Sequence, residues 1–299
     1  MIDSINSNKV IFLKCIIFFI LFLSSAISDE PDIFINEFLS SNASSNLDPD
    51  FFSFCDWIEI FNSEDSTVNM SGYYLTDDLS DPFKFQFPDN TNIEPNGYFI
   101  VWADGKDYSP GGYHIYPQDI NITVNACHAN FKLKKSGEEI ALFSQNGNLI
   151  DLVTYDEQVT NVSNGRFPDG ASDWFYFDEP TPYNPNFSSP YADTTRSLPP
   201  QISPSGGYYD ISQPIEILSD ETLGTIRFTL DGSTPNSYSQ IYTEPIIIDS
   251  TTVLRAKVFD QGFLSSEVKT ESYFINDNFT LPVIAKIKFE IILKCFFSK

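Results

Sequence analysis

The run CDWIEIFNSEDSTVNMSGYYLTDD, from Cys55 to Asp78, sets Asp56, Glu59, Glu64, Asp65, Asp77 and Asp78 among Trp57, Ile58, Ile60, Phe61, Tyr73, Tyr74 and Leu75. Carboxylates among aromatics can form an acid/base pair, ligate calcium, or rim the ends of two strands. A glycosidase pair needs two carboxyls roughly 5–10 Å apart across a cleft. Alternation in DWIEIF puts Ile58 and Ile60 on one face and Trp57, Glu59 and Phe61 on the other. Asp56 and Glu59 then occupy opposite pleats of one strand, a poor geometry for hydrolysis. Their expected work is to cap strand ends or to bond neighbouring loops. Asp77, Asp78 and Asp81 in TDDLSD put hard oxygen ligands on one loop, so calcium is the one cofactor the sequence raises; EF-hand spacing is absent. The competing reading is a solvated acidic loop.

The remaining chemistry is sparse. His114 and His128 are the two histidines; His128, at a strand entrance, reads as a structural histidine rather than a base. The sequence contains no H-E-x-x-H, G-x-S-x-G, P-loop or G-x-G-x-x-G pattern, which removes the zinc-protease, α/β-hydrolase and nucleotide signatures. Aromatic surface is the other candidate. In DWFYF, Trp174 and Tyr176 share one face of an extended segment, able to stack a sugar or to enter a core, and Tyr208 and Tyr209 pose the same choice.

These residues sit in a chain of 299 residues with 41 acidic and 17 basic side chains, a net charge of −24. Such acidity works against nucleic-acid binding, which rests on Lys and Arg displacing phosphate counterions. Residues 1–28 read as a cleavable signal peptide: Lys9 and Lys14, the apolar stretch CIIFFILFL, then SSAIS with Ala26 and Ser28 at the small-residue positions. The apolar run falls well short of the roughly twenty residues of a membrane span. No integral membrane segment is expected after cleavage, and the chain is expected to be secreted. Cleavage leaves Cys55, Cys127 and Cys295; a Cys55–Cys127 disulfide is the expectation, with two free core thiols as the alternative. Sequons at Asn42, Asn69, Asn121, Asn161, Asn186 and Asn278 fit a glycosylated extracellular protein.

No sustained helical period follows the signal. Short alternating runs between turn residues (IFINEFL, DWIEIF, GYFIVWA, EIALFS, LIDLVTY) predict an all-β fold. In EIALFSQNGNLIDLVTY, Asn146 and Gly147 predict a hairpin with a tight type I′ turn. Residues 29–187 form one expected domain and 188–199, ending in two prolines, a linker. Residues 200–275 form a second domain, in whose TIRFTL run Ile226, Phe228 and Leu230 point one way. Residues 276–299 have no assigned element.

Two resemblances follow from these runs. INEFLSSN, DWIEIFN, MSGYYLTDD, FKFQFP, GYFIVWADGKD, HANFKLKKSGEEIALF, GNLIDLVTY, GRFPDGASDW and PTPYNPN occur in order and resemble a lamin-tail domain of the secreted, multidomain kind. ISPSGGYYD, IRFTLDGSTP, SQIYTEPIII and TTVLRAKVFDQGFLSSEV resemble the C-terminal β-domain of chitobiases and β-hexosaminidases. The resemblance implies two tandem immunoglobulin-like β-sandwich domains without catalytic residues. The expected role is a secreted binding or scaffold protein whose partner is an extracellular protein or a glycan. Two alternatives stand beside it. One is a carbohydrate-binding module. The other is the front of a larger secreted carbohydrate-active or kinase-like enzyme, because LPVIA near Pro282 resembles the opening of a domain similar to spore-coat protein H. Two departures stand out: the loop from Tyr108 to Cys127 is long for a lamin-tail domain, and Tyr183 occupies a position where glycine is usual.

Overall fold

The structure, a computed structural model, describes residues 30–108, 113–115, 121–123, 126–186, 191, 193–220 and 224–276. The signal segment, LPVIA, Asn278 and Cys295 lie outside the described residues, as do the side chains of His114 and Asn121. The described chain is all strand and loop. In the first domain the strands are β1 (Ile33–Leu39), β2 (Asp56–Asn62), β3 (Val68–Asn69), β4 (Tyr74–Thr76), β5 (Phe85–Gln86), β6 (Asn92–Ile93) and β7 (Tyr98–Ala103). They continue as β8 (Tyr113–Ile115), β9 (Asn121–Thr123), β10 (Cys127–His128), β11 (Glu138–Phe143), β12 (Leu149–Tyr155), β13 (Ser163–Arg166) and β14 (Trp174–Phe177).

One sheet runs β10-β7-β2-β1-β13-β14 and the facing sheet β12-β11-β4-β5. Between them Ile35, Phe38, Ile58, Ile60, Val101, Ala103, Cys127, Ile140 and Leu142 make a dry core, in which each large aliphatic or aromatic side chain is worth roughly 1.5–3 kcal/mol relative to exposure. The predicted alternation in β2 holds: Ile58 and Ile60 enter this core. The other face of β2 is not wet, however. Trp57 and Glu59 are fully buried and Phe61 nearly so. Leu39, Trp57, Ile100 and Trp102 form a second cluster there. Strands buried on both faces lose the polar alternation that a half-exposed sheet would show.

The predicted hairpin forms between β11 and β12, but its turn is not type I′. Gly147 has φ 78° while Asn146 stays out of the left-handed region. Gly147 N–H donates to Ser144 O at 2.9 Å and Ser144 N–H to Asn148 O at 2.8 Å. The loop is therefore one residue longer than the tight form and needs positive φ only at its glycine.

The second domain holds β15 (Gln201–Ser203), β16 (Gly207–Tyr209), β17 (Gln213–Leu218), β18 (Thr225–Thr229), β19 (Gln240–Ile241), β20 (Ile246–Ile248), β21 (Thr252–Phe259) and β22 (Lys269–Ile275). Sheets β15-β17-β20 and β16-β22-β21-β18-β19 enclose Ile215, Ile217, Phe228, Leu254, Ala256 and Tyr273. Ile226 and Phe228 face this core as expected, whereas Leu230, just past the end of β18, is exposed.

The expected linker does not hang free. Arg196 and Leu264 form a bridge, with Ser197 N–H donating to Leu264 O at 3.0 Å and Leu264 N–H to Thr195 O at 2.8 Å.

Candidate functional site

The acids that opened the question are occupied by structure. Asp56 Oδ1 accepts from Asn42 N–H at 3.2 Å, and burial pushes its carboxyl up to about 6. Glu59 accepts from Asn36 Nδ2 at 3.2 Å and from Tyr183 N–H at 2.7 Å. Burial, then the neighbouring Glu37, holds it well above the ordinary range. Glu37, its cross-strand partner, accepts from Ser163 Oγ and Thr181 N–H. Both glutamates therefore tie the segment 181–186 across the outer face of the sheet. That is the loop-bonding role expected from the alternation.

Of the proposed calcium ligands, Asp77 pairs with Lys84 at 2.6 Å. Asp78 Oδ1 accepts from Ser80 N–H and Oγ, and those bonds hold its carboxyl below the ordinary range. The groups of three or more donors near enough for one ion, among the described residues, omit Asp77, Asp78 and Asp81. The loop closes on its own side chains.

The expected disulfide is absent as well: Cys55 and Cys127 are free thiols. The physical reason is the sheet itself. Cys127 points into the inter-sheet core, whereas Cys55 packs against the Trp57 and Trp102 cluster on the opposite face. Burial pushes the Cys127 thiol up to about 12.

The aromatic candidates are divided. Trp174 packs on the core, 5.7 Å from the Phe38 ring, with the Arg166 guanidinium 4.8 Å from its own ring. Tyr176 bridges to Tyr191. In the second domain Tyr209 packs on the core, while Tyr208 is exposed and stacks on Phe274 at 4.9 Å.

Of the sequons, Asn186 is buried, with Nδ2 donating to Arg166 O at 2.9 Å. Asn42 Nδ2 donates to Asn46 O and Cys55 O, and Asn161 Nδ2 to Ser44 Oγ. Asn69 is exposed, with its amide oxygen rather than its nitrogen engaged.

Two constellations escaped the sequence reading. The first surrounds His128. Parallel pairing of β10 with β7 sets His128 beside Trp102, next to the end of β7 where Asp104 follows. His128 Nδ1 lies 3.0 Å from Asp104 Oδ2 and Nε2 3.2 Å from Asp50 Oδ2. Burial opposes a charge on the ring, but bonds to Asp104 and Asp50 outweigh it and raise its pKa. Burial likewise opposes the Asp104 charge, yet His128 and Lys106 hold that carboxyl low. Asp48 is fully buried beside them, and desolvation raises its carboxyl. No spacing in the sequence links Asp48, Asp50, Asp104 and His128; a parallel crossover through the long loop brings them together.

The second is a cleft of about 560 Å³ between the domains, lined among others by Asn46, Asn161, Glu179, Arg196, Arg255 and Glu267. Arg196 pairs with Asp178 at 3.2 Å and Glu267 at 3.3 Å, and Lys257 with Asp178 at 3.1 Å. Arg255 instead donates to Gly232 O and Thr234 Oγ1. Its Nε is buried with no partner, and no carboxylate pairs with it among the described residues.

Comparison with known proteins fits this architecture. Residues 26–157 match the family model Lamin Tail Domain, and residues 204–270 match Chitobiase/beta-hexosaminidase C-terminal domain. No curated protein matches the chain. Among solved structures, murine CEACAM1b aligns over 71% of this chain and 94% of its own, at 9% identity and a TM-score of 0.19. That similarity is too slight to bear on the fold. The two family matches lie in order along the two sandwiches: a stretch that matches the lamin tail domain is followed by one that matches the chitobiase/β-hexosaminidase C-terminal domain.

Proposed function

We propose that this is a secreted, non-catalytic binding or scaffold protein that holds an anionic group of an extracellular partner, protein or glycan, in the cleft between its domains. One observation carries the reading. Arg255 lines the cleft with a buried, unpartnered Nε, while Arg196 and Lys257 beside it are matched by acids. An unmet buried donor costs about 1–3 kcal/mol, and a carboxylate or sulfate oxygen from a partner removes that cost. The basic and apolar start of the chain supports export, and the bonding of Asp56 and Glu59 into loops supports a role without bond cleavage.

The net charge of −24 narrows the partner. Its field opposes long polyanions, whereas within the cleft Arg196, Arg255 and Lys257 offset Asp178, Glu179 and Glu267. Nucleic acid is therefore a poor partner. The test is to immobilise the purified chain, screen matrix proteins and polysaccharides, and repeat the positives with Arg255→Ala and Arg255→Lys. Binding that weakens roughly tenfold or more in Arg255→Ala is the expected result. Failure of every partner to bind, or equal binding by Arg255→Ala, would refute the reading.

A further inference from the structure

We propose that the paired carboxyls of Glu37 and Glu59 are a pH-operated latch on the wall of the interdomain cleft, closed while the pair holds protons and released as it ionises. The consequence for a partner rests on the reading of the cleft given above; the latch itself stands on the geometry of the first domain.

Glu37 and Glu59 are cross-strand neighbours on β1 and β2, and both are fully buried. Each holds the backbone of one short segment, 181–186. Glu37 accepts from Thr181 N–H at 3.1 Å and Thr181 Oγ1 at 3.0 Å, and Glu59 from Tyr183 N–H at 2.7 Å. At the end of the segment, Asn186 N–H donates to Asp169 Oδ1 at 3.1 Å. The other donors are neutral too. Ser163 Oγ serves Glu37, Asn36 Nδ2 serves both Glu59 and Asp169, and the Tyr98 hydroxyl serves Asp169 at 2.6 Å.

The group lacks a counter-ion. Among the described residues no Lys, Arg or His forms an ion pair with Glu37, Glu59 or Asp169. Arg166, on the neighbouring β13, is turned to Asp151 at 2.9 Å. Beyond the segment, the Tyr183 phenol lies in the negative field of Glu59, Asp50 and Asp48. Two buried carboxylates side by side without a cation are costly, and such a pair keeps a proton instead. Burial raises both carboxyls; Asp169 adds to the effect at Glu37, and Glu37 to that at Glu59.

The held segment continues the cleft wall. Asp178, Glu179 and Pro180 line the cleft, and Thr181 follows directly. Asp178 and Glu179 grip the second domain, accepting from Ser265 N–H at 3.1 Å and Ser237 N–H at 2.6 Å. Ionisation of the pair is relieved when water reaches it, which requires 181–186 to lift and loosens the wall that precedes it. The closed state binds more protons than the open one, so it is favoured at low pH and lost as pH rises through about 7. The cleft therefore keeps its partner in mildly acidic medium and releases it in alkaline medium.

Amide hydrogen exchange, expressed as protection relative to the intrinsic rate at each pH, reads the latch without any partner. Between about pH 6 and pH 9, wild type should lose roughly tenfold or more protection at Thr181 and Tyr183, and at Ser237 and Ser265 across the cleft. The double variant Glu37→Gln/Glu59→Gln, whose amides do not titrate, should hold its protection across that range. If the double variant fails to fold by circular dichroism, carbon-13 NMR of the wild-type glutamate carboxyls decides the matter: Glu37 should titrate near 7 rather than 4.5. Unchanged protection at Thr181 and Tyr183, an equal loss in the double variant, carboxyls that titrate in the ordinary range, or a loss that spares Ser237 and Ser265 would each overturn the proposal. Any partner found by the screen should bind more weakly across the same range to wild type but not to the double variant. A screen without partners would sink the reading of the cleft, while the exchange data would still decide the latch.

Discussion

Burial decides the charge of Glu37. Thr181 Oγ1 lies within donating distance of both Asn186 Oδ1, at 2.7 Å, and Glu37 Oε2, at 3.0 Å, and Thr181 N–H donates to the same carboxyl. Burial, the largest influence, raises this carboxyl from 4.5 to about 7 against the bonds that would lower it. A raised folded-state pKa gives stability that is complete below about 4.5 and lost as pH rises through about 7, because the native state then binds more protons than the unfolded one. Thermal melts from acid to alkaline pH should show wild type losing stability across that window. Glu37→Gln, whose amide mimics the protonated acid, should show a smaller loss; an identical pH profile would refute the protonated form. Tyr183 makes a second case. Its φ of 66° is the left-handed region that glycine enters freely and tyrosine does not. Tyr183→Gly should stabilise by about 1 kcal/mol in urea denaturation. A lowered midpoint would mean that the half-exposed ring contributes more than the backbone strain costs.

At the scale of elements, β13 and β14 extend the first domain past residue 157, where the lamin-tail match ends. β13 pairs with β1 through Glu37↔Gly165 and Phe38↔Asn164. Asn186 then seals this edge. A Cβ on Gly165 would come within 2.8 Å of Asn186 Nδ2, which leaves no space for a glycan on that nitrogen. In a chain secreted from a glycosylating host, peptide mass spectrometry should find Asn69 occupied and Asn186 bare in the folded fraction; a glycan on Asn186 would contradict this packing. The strands were legible because Ile58 and Ile60 in β2, and Phe99, Val101 and Ala103 in β7, repeat at a period of two. The Cys55–Cys127 pairing failed because spacing along the chain says nothing about which pleat carries each thiol. The His128 cluster was illegible for a related reason. Its members come from a loop before β2, the end of β7 and a strand paired in parallel, and only that crossover makes them neighbours.

At the scale of the whole molecule, Asp178 joins the two sandwiches. It follows β14 directly and reaches into the second domain. There it accepts from Lys257 Nζ at 3.1 Å, Ser265 N–H at 3.1 Å and Ser265 Oγ, while also pairing with Arg196 at 3.2 Å. Glu179 adds bonds from Ser237 N–H and Oγ, each 2.6 Å. Truncating Asp178 leaves Lys257, itself largely buried, without its acid, and breaking a buried pair from one side costs about 3–5 kcal/mol. That loss falls on the contact between the domains rather than on either core. Calorimetry should therefore show the coupled melting of wild type resolve, in Asp178→Ala, into two transitions, the lower belonging to the smaller domain. Limited proteolysis should cut near residues 193–199, which wild type keeps docked on Leu264. Because the cleft is walled by both domains, the same variant should weaken partner binding along with Arg255→Ala.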